Sequence, residues 1–427
     1  MHGSGSRRGG DLLKRRRVVI TGLGVVAPNG IGKEVFWENL IAGKSAVDRI
    51  TAFDPSPYPC QVAAEVRDFN PKDFISARKA KMMARFSQFA VAATRLALED
   101  AKLSITPSLS SEMTVSYGTS VGGGGDVTEE AAEARALEGP RGIKPWAALE
   151  FSPHAPSSYV AIEFRIKGPA LSVSSNCCTG LDTIHAACSQ IVSGKAKAAV
   201  AGSCDAPISP LAFGALCALG ALTKRNGEPE KASRPYDLLR DGLIVGEGAA
   251  TLVLEDLEFA LERGAHIYAE VLGYGAASEA IGMRKGDLEG KVMAGAITKA
   301  IIDAGLSPAD IDHVNAHGSS LPDFDVCDSK AFKHALGDHA YRIPISSIKS
   351  MIGQPFAAAG TIQTVAACLS IEHQRVPPTI NPEVPDPRCD LDFVPNVSRI
   401  ARVERVLING HSFGGSVTAL VIGRFDE

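Results

Sequence analysis

Four segments of this chain set reactive side chains where predicted strands end. In Val173-Ser174-Ser175-Asn176-Cys177-Cys178-Thr179-Gly180-Leu181, a strand delivers Cys177 to a sharp turn, and a helix of small residues begins directly after it. A thiol at a helix N-terminus meets the positive end of the backbone dipole, which favours thiolate and nucleophilic attack. Cysteine is more commonly a buried structural residue, and Cys178 is read that way. In Val314-Asn315-Ala316-His317-Gly318-Ser319-Ser320, a strand ends in a histidine followed by glycine and two hydroxyls. A lone histidine is usually a satisfied polar group, but opposite an activated cysteine it suits acid/base or oxyanion work. Lys349, in Ser346-Ser347-Ile348-Lys349-Ser350-Met351-Ile352-Gly353-Gln354, needs an anionic partner if it is buried. Asp325 and Asp328 are candidates for that partner, and an ordinary exposed lysine fits the local sequence equally well. Finally, Leu407 to Gly415 reads as a strand and a glycine-rich turn whose N–H groups can point into a cavity.

Positioning such groups calls for alternating strands and helices, an α/β layer arrangement. The first strand, Arg17 to Gly22, runs into glycine, a helix is expected over Lys79–Lys102, and another over Cys177–Ser193. A junction falls at Phe259–Ala269, after which a strand, Ile267 to Leu272, again enters glycine. The order of elements suggests a duplication. Val18-Val19-Ile20-Thr21-Gly22-Leu23-Gly24 is echoed by Ala269-Glu270-Val271-Leu272-Gly273-Tyr274-Gly275. The strand Leu171–Asn176 before Cys177 is echoed by Ile343–Ile348 before Lys349. Duplicated halves meeting face to face would bring both strand ends to one central site.

Two glycine motifs are discounted. Gly22-x-Gly24-x-x-Ala27 imitates a dinucleotide fingerprint, but Pro28 follows and no acidic residue closes a second strand, so a tight strand-to-loop turn is expected. Gly122 to Gly125 form a flexible loop without a nearby lysine and are assigned to packing beside a pocket.

The 427 residues, 45% hydrophobic with 42 glycines, allow one large core or two fused ones. A net charge of -4 gives no reason to expect nucleic acid or an anionic membrane, though a local basic patch would suit an acidic carrier protein. Nine scattered cysteines without a CxxC pair read as thiols of a reducing cytoplasm. No window is long and apolar enough for a membrane span. The Gly/Ser/Arg-rich residues 1–16 read as a disordered leader, followed by halves at 17–258 and 259–427.

Taken in order, these segments resemble the β-ketoacyl-acyl-carrier-protein synthase family, particularly synthase II and polyketide ketosynthases. The resemblance runs from about Arg17 to Phe425. It takes in Ala232-Ser233-Arg234-Pro235-Tyr236-Asp237, Arg240-Asp241-Gly242, Gly246-Glu247-Gly248-Ala249 and Val376-Pro377-Pro378-Thr379-Ile380-Asn381. It implies a duplicated thiolase-like fold, two mixed-sheet halves in αβαβα layers, and a homodimer. Cys177 would accept an acyl group from the phosphopantetheine arm of an acyl or peptidyl carrier protein, with no bound cofactor and no metal. The N–H groups of Cys177 and Phe413 would form the oxyanion hole, while His317, Lys349 and Asp328 match the family's first histidine, its lysine and the lysine's acidic partner.

Gln354 departs from the pattern. The family reads Lys-Ser-x-x-Gly-His, and its second histidine assists malonyl decarboxylation; a glutamine donates through its amide but holds no proton or positive charge. Ser319 keeps a hydroxyl, Leu321 replaces a threonine that holds the pantetheine arm, and Gly282 and Arg284 change the substrate entrance. Val121 joins the expected substrate contacts. His411 replaces a phenylalanine, and Glu150 and His154 add polar groups to a segment that lines the acyl pocket across the dimer. The expected function is loading of a polar acyl chain on Cys177, then non-decarboxylative aldol or Claisen-type ring closure. The stand-alone enzyme that forms the γ-lactam-β-lactone of salinosporamide is of that kind. Decarboxylative condensation with Gln354 in the histidine's place, non-elongating acyl transfer, and a non-catalytic subunit resembling a chain-length factor are the alternatives. Retention of Cys177 and His317 argues against the last.

Overall fold

The computed structural model describes residues 16–426. The leader expected over 1–16 therefore lies outside the described residues except for Arg16, which pairs with Asp256 at 3.3 Å. In the first half the main strands are β1 (Val18–Ala27), β2 (Met113–Gly118), β3 (Ala170–Val173), β4 (Ala198–Asp205) and β5 (Gly248–Asp256). In the second they are β6 (Ala269–Ser278), β7 (His313–Asn315), β8 (Ile345–Ser346), β9 (Arg405–His411) and β10 (Ser416–Gly423).

One sheet joins them in the order β8-β7-β9-β10-β6-β1-β5-β4-β2-β3. Counted outward from the centre, both halves therefore read first, fifth, fourth, second, third. The strand directions repeat as well: in each half the first three neighbours are antiparallel and the outer pairs parallel. Within the sheet the halves join through a short β1–β6 pairing, Val19 with Glu270 and Ile20 with Ala269. Duplication is thus visible in topology, well beyond the short sequence echo.

The glycine echo has a different cause from the expected turn. Gly22 and Gly24 lie within β1 under helix α1 (Arg85–Asp100). A Cβ would come 2.3 Å from the Ala97 carbonyl at Gly22 and 1.9 Å from the Ala93 carbonyl at Gly24. Helix α2 (Thr179–Val192) follows Cys177 in the first half, and with helix α3 (Lys291–Asp303) the glycine pattern recurs on the other half. There Gly273 and Gly275 leave room for the Ala300 and Ala296 carbonyls of α3, which a Cβ would meet at 2.2 and 2.1 Å. Each glycine pair lets a helix backbone lie directly on a strand, and a bulge precedes it in both halves, at Ile20/Gly22 and Val271/Gly273.

Alternate residues along the strands feed different cores, as period-two geometry requires. Leu252 and Leu254 join a central core with Leu181, Ile362 and Val365, whereas Val253 joins α1 on the opposite face. Leu181 belongs to α2; Ile362 and Val365 belong to α5 (Ala358–His373), which follows α4 (Pro322–Leu336). The α2/α5 pair fills the space between the half-sheets, α1 covers one outside face, and α3 and α4 cover the other. This is the expected five-layer arrangement.

Local boundaries differ from the sequence reading. The helix expected over Lys79–Lys102 is broken, with a turn at Ala77–Ala80 and α1 beginning at Arg85. The carboxylate of Glu150 explains the break: it accepts from the Ala84 N–H at 3.0 Å and the Ser87 hydroxyl at 2.7 Å, capping the start of α1. The outer strands are short, Ala170–Val173 and Ile345–Ser346, and β6 starts later and runs longer than Ile267–Leu272. Gly122–Gly124 form a single tight turn rather than a loose loop, and a Cβ on Gly123 would lie 2.3 Å from the Glu150 carbonyl. All nine cysteines are free thiols, eight of them buried. Among the described residues, no helix is long and apolar enough to cross a membrane.

Candidate active site

The ends of β3, β7, β8 and β9 converge where α2 and α5 cross. Close crossing rests on Gly180 and Gly360, where added Cβ atoms would stand 2.5 Å from the Thr361 nitrogen and 2.7 Å from the Leu181 nitrogen. After β3 the chain reverses at Asn176 (φ 57°), then a single turn, Asn176–Cys178, leads into α2. Asparagine tolerates that left-handed conformation better than most side chains, which accounts for its place before Cys177.

Cys177 is buried, 4% exposed. Burial pushes its thiol up to about 12, while Lys349 and the Gln354 amide pull the other way. The thiolate preference expected from the helix start is therefore reversed by desolvation, and the free site holds a thiol. Gln354 Nε2 donates to Cys177 Sγ at 3.1 Å. The other end of that amide, Oε1, is buried without a hydrogen-bond partner among the described residues. Cys178 is structural, as expected: its N–H donates to Ser412 Oγ at 3.1 Å and its thiol to the Ser416 carbonyl at 3.2 Å.

His317 lies two residues beyond β7, and Asn409 Oδ1 accepts its backbone N–H at 2.8 Å. Its Nδ1 accepts the His411 N–H at 3.3 Å. A backbone N–H can only donate, so the ring proton resides on Nε2, and His317 presents a donor. Burial, Lys349 and His411 hold its pKa well below the ordinary histidine value, keeping the ring neutral.

Lys349, 1% exposed, donates to the His317 carbonyl at 2.7 Å and to Gln363 Oε1 at 3.0 Å. Burial lowers it to about 8. The anionic partners expected for it are engaged elsewhere. Asp325 stands 3.4 Å from the Arg240 guanidinium and accepts the Tyr236 and Ser319 N–H groups at 2.9 Å each. Asp328 accepts the Gly318 N–H at 2.8 Å and the Asn409 amide at 2.9 Å. Among the described residues neither carboxylate pairs directly with Lys349. Both instead shape the His317 loop, and burial pushes Asp325 up to about 7.

Phe413 is half-buried in an apolar cluster with Cys177, Leu321 and Phe356. Ser412 Oγ fixes its turn against the cysteine loop by donating to the Ser175 carbonyl at 2.9 Å. Neither the Cys177 nor the Phe413 N–H has a protein acceptor among the described residues. Ser319 Oγ is buried and unpartnered among the described residues.

Arg284 donates to the Leu219 carbonyl at 2.8 Å and lines a cavity of about 310 Å3 with Phe324 and His411. Val121 is held by Asp205 Oδ1 at 2.9 Å, and His154 is exposed. Glu150 is buried and caps α1. Gln363, Asn409 and Phe324 were not singled out from sequence. Asn409 lies in the segment that was, but the roles of Gln363 and Phe324 depend on partners distant in the chain.

With this geometry in place, the chain can be set beside known proteins. The model of the β-ketoacyl synthase N-terminal domain matches residues 15–260, and that of the C-terminal domain matches 268–383. The 3-oxoacyl-[acyl-carrier-protein] synthase 2 of Coxiella burnetii is 42% identical over 412 residues, 96% of this chain and 99% of the relative. A type II polyketide ketosynthase solved with its acyl-carrier protein and bound to the hexaketide superposes with a TM-score of 0.89 at 36% identity, covering 97% of this chain and 100% of that one. The ishigamide ketosynthase/chain length factor gives 0.90 at 35% identity, with 97% and 100% covered. The fold is the thiolase-like ketosynthase fold, and the chain belongs to the β-ketoacyl synthase family.

Proposed function

We propose that this ketosynthase-type enzyme of polyketide or hybrid peptide biosynthesis takes an acyl chain from the phosphopantetheine arm of an acyl or peptidyl carrier protein onto Cys177. The bound chain is then closed by intramolecular C–C bond formation, without malonyl decarboxylation. In loading, the Cys177 sulfur attacks the incoming thioester carbonyl, the pantetheine sulfur leaves, and the thiol proton departs with it. The free N–H groups of Cys177 and Phe413 suit the oxyanion formed on the way. The unpartnered Ser319 hydroxyl suits the pantetheine arm, with Leu321 packing beside it.

Ring closure passes through an enolate. His317 supports it as an Nε2–H donor and not as a base, because Nδ1 is already filled by the His411 N–H. Lys349, lowered to about 8 and bonded to the His317 carbonyl, has a neutral fraction that takes up the α-proton and returns it to the alkoxide or the departing Cys177 sulfur once the C–C bond has formed. The observation that carries the reading is the Gln354 amide. Its Nε2 donates to Cys177 Sγ, and its Oε1, one amide away from the nucleophile, is a buried acceptor without a partner among the described residues. An acceptor there disfavours a malonyl carboxylate and favours a chain carrying its own N–H or O–H donor.

The second reading, decarboxylative condensation, is favoured by one observation. Two neutral donors, Gln354 Nε2 and His317 Nε2, can steady an enolate formed by loss of CO2, a route that needs no base. Carboxyl-labelled malonyl-carrier protein separates the two: little CO2 release is expected, and release at a condensing rate would establish the second reading. A homodimer is part of the proposal. The outer edge of β3 is exposed, Leu171 included, and a second copy pairing along it would complete the sheet. Sedimentation at micromolar concentration tests this, and a monomer rules it out.

A further inference from the structure

Behind His317 lies a cluster that acyl chemistry does not use. His411 ends β9, Glu279 follows β6 directly, and Cys327 sits on α4. All three are buried, at 1%, 7% and 2% exposure, and one ligand atom from each lies within 4.8 Å of the other two. Their polar atoms are poorly satisfied. His411 Nε2 stands 3.1 Å from Glu279 Oε1, yet among the described residues neither ring nitrogen has a hydrogen-bond partner, and Glu279 Oε2 has none either. A histidine buried this deeply with both nitrogens unmatched is uncommon and calls for an occupant.

The donor set indicates what that occupant is. Imidazole, thiolate and carboxylate together suit a borderline divalent ion, whereas magnesium and calcium disfavour sulfur. A thiolate and a carboxylate also cancel a charge of two, which makes burial of the ion tolerable. Tetrahedral ligands at about 2.0–2.3 Å stand roughly 3.3–3.8 Å apart, so small side-chain rotations close the present spacing. His411 and Cys327 both line the cavity of about 310 Å3 that also touches Arg284, which leaves room for a fourth ligand.

We propose that Glu279, Cys327 and His411 bind a divalent transition-metal ion of the zinc class, with the fourth position toward that cavity. This stands apart from the reading of the acyl chemistry. Its structural consequence is fixation of the end of β9, the strand whose His411 N–H sets the His317 tautomer.

The test is metal stoichiometry with a thiolate-sensitive probe. The full-length protein is dialysed against zinc, freed of excess, and analysed for metal; about one ion per chain is expected. Cobalt loaded instead should give a near-ultraviolet sulfur-to-cobalt charge-transfer band with strong visible absorption. That band should persist in Cys177→Ala and vanish in Cys327→Ala. His411→Phe should weaken binding on the order of a hundredfold. Cys327→Ser serves if the alanine variant does not fold. Zinc well below one per chain, or a cobalt band that survives Cys327 substitution, would overturn the proposal and leave a plain His411–Glu279 contact.

Discussion

Gln354 donates its amide N–H to the sulfur of Cys177 across 3.1 Å, with the residue 2% exposed. The contact makes the glutamine part of the nucleophile's electrostatics as well as of the substrate space. Gln354→Leu removes the donor from a buried thiol and should slow Cys177 acylation about tenfold or more, consistent with roughly 1–3 kcal/mol for such a bond. Gln354→His should raise CO2 release from malonyl-carrier protein. Both are read by acylation kinetics and labelled CO2, and an unchanged Gln354→His would show that the glutamine does not redirect the chemistry.

The buried thiol gives a pH signature. Cys177 is pushed up from an ordinary 9.0 to about 12, so thiolate is scarce at neutral pH and accumulates only well into the alkaline range. Alkylation by iodoacetamide at Cys177, followed by peptide mass spectrometry, should be slower than at an ordinary thiol at pH 8. Its rate should still be rising at pH 10. A plateau near pH 7 would mean a pre-formed thiolate.

Lys349 affects stability with a definite sign. Its folded value of about 8 lies below the ordinary 10.5, so burial disfavours the charged form. The resulting penalty is fully present below pH 8 and is relieved as pH rises through 8 to 10.5. Comparing wild type with Lys349→Met by urea unfolding, the difference should shift by ~3 kcal/mol in favour of the wild type between those limits. A pH-independent difference would contradict the buried, depressed lysine.

Glu150 should behave as a helix cap. Glu150→Ala is expected to cost ~1–2 kcal/mol in urea unfolding by freeing the Ala84 N–H and the Ser87 hydroxyl. The ranking of acyl substrates should stay unchanged. A change in substrate preference with unaltered stability would instead place the residue at the acyl pocket.

What the sequence disclosed follows from how local each signal is. Cys177, His317, Lys349 and Phe413 each sit where a short apolar strand meets a turn, so flanking residues reveal them. Gln354 was visible as a departure from a motif. The hydrogen bonds that assign roles were not visible, because they join residues far apart in the chain. Ser87 and Glu150 are 63 positions apart, and His317 and His411 are 94 apart. The same holds for Asp325, whose closeness to the histidine motif suggested a lysine partner while the fold gives it Arg240. Gly22 and Gly24 misled because a glycine that admits a helix backbone looks, in sequence, like one that makes a turn.

The central claim is that Cys177 carries the acyl chain. Intact mass spectrometry of wild type and Cys177→Ala after incubation with an acyl-carrier thioester tests it directly. Wild type should gain the mass of one acyl group, mapped to Cys177, while Cys177→Ala gains none. An adduct that persists in Cys177→Ala, or no adduct on wild type with any thioester, would contradict the account.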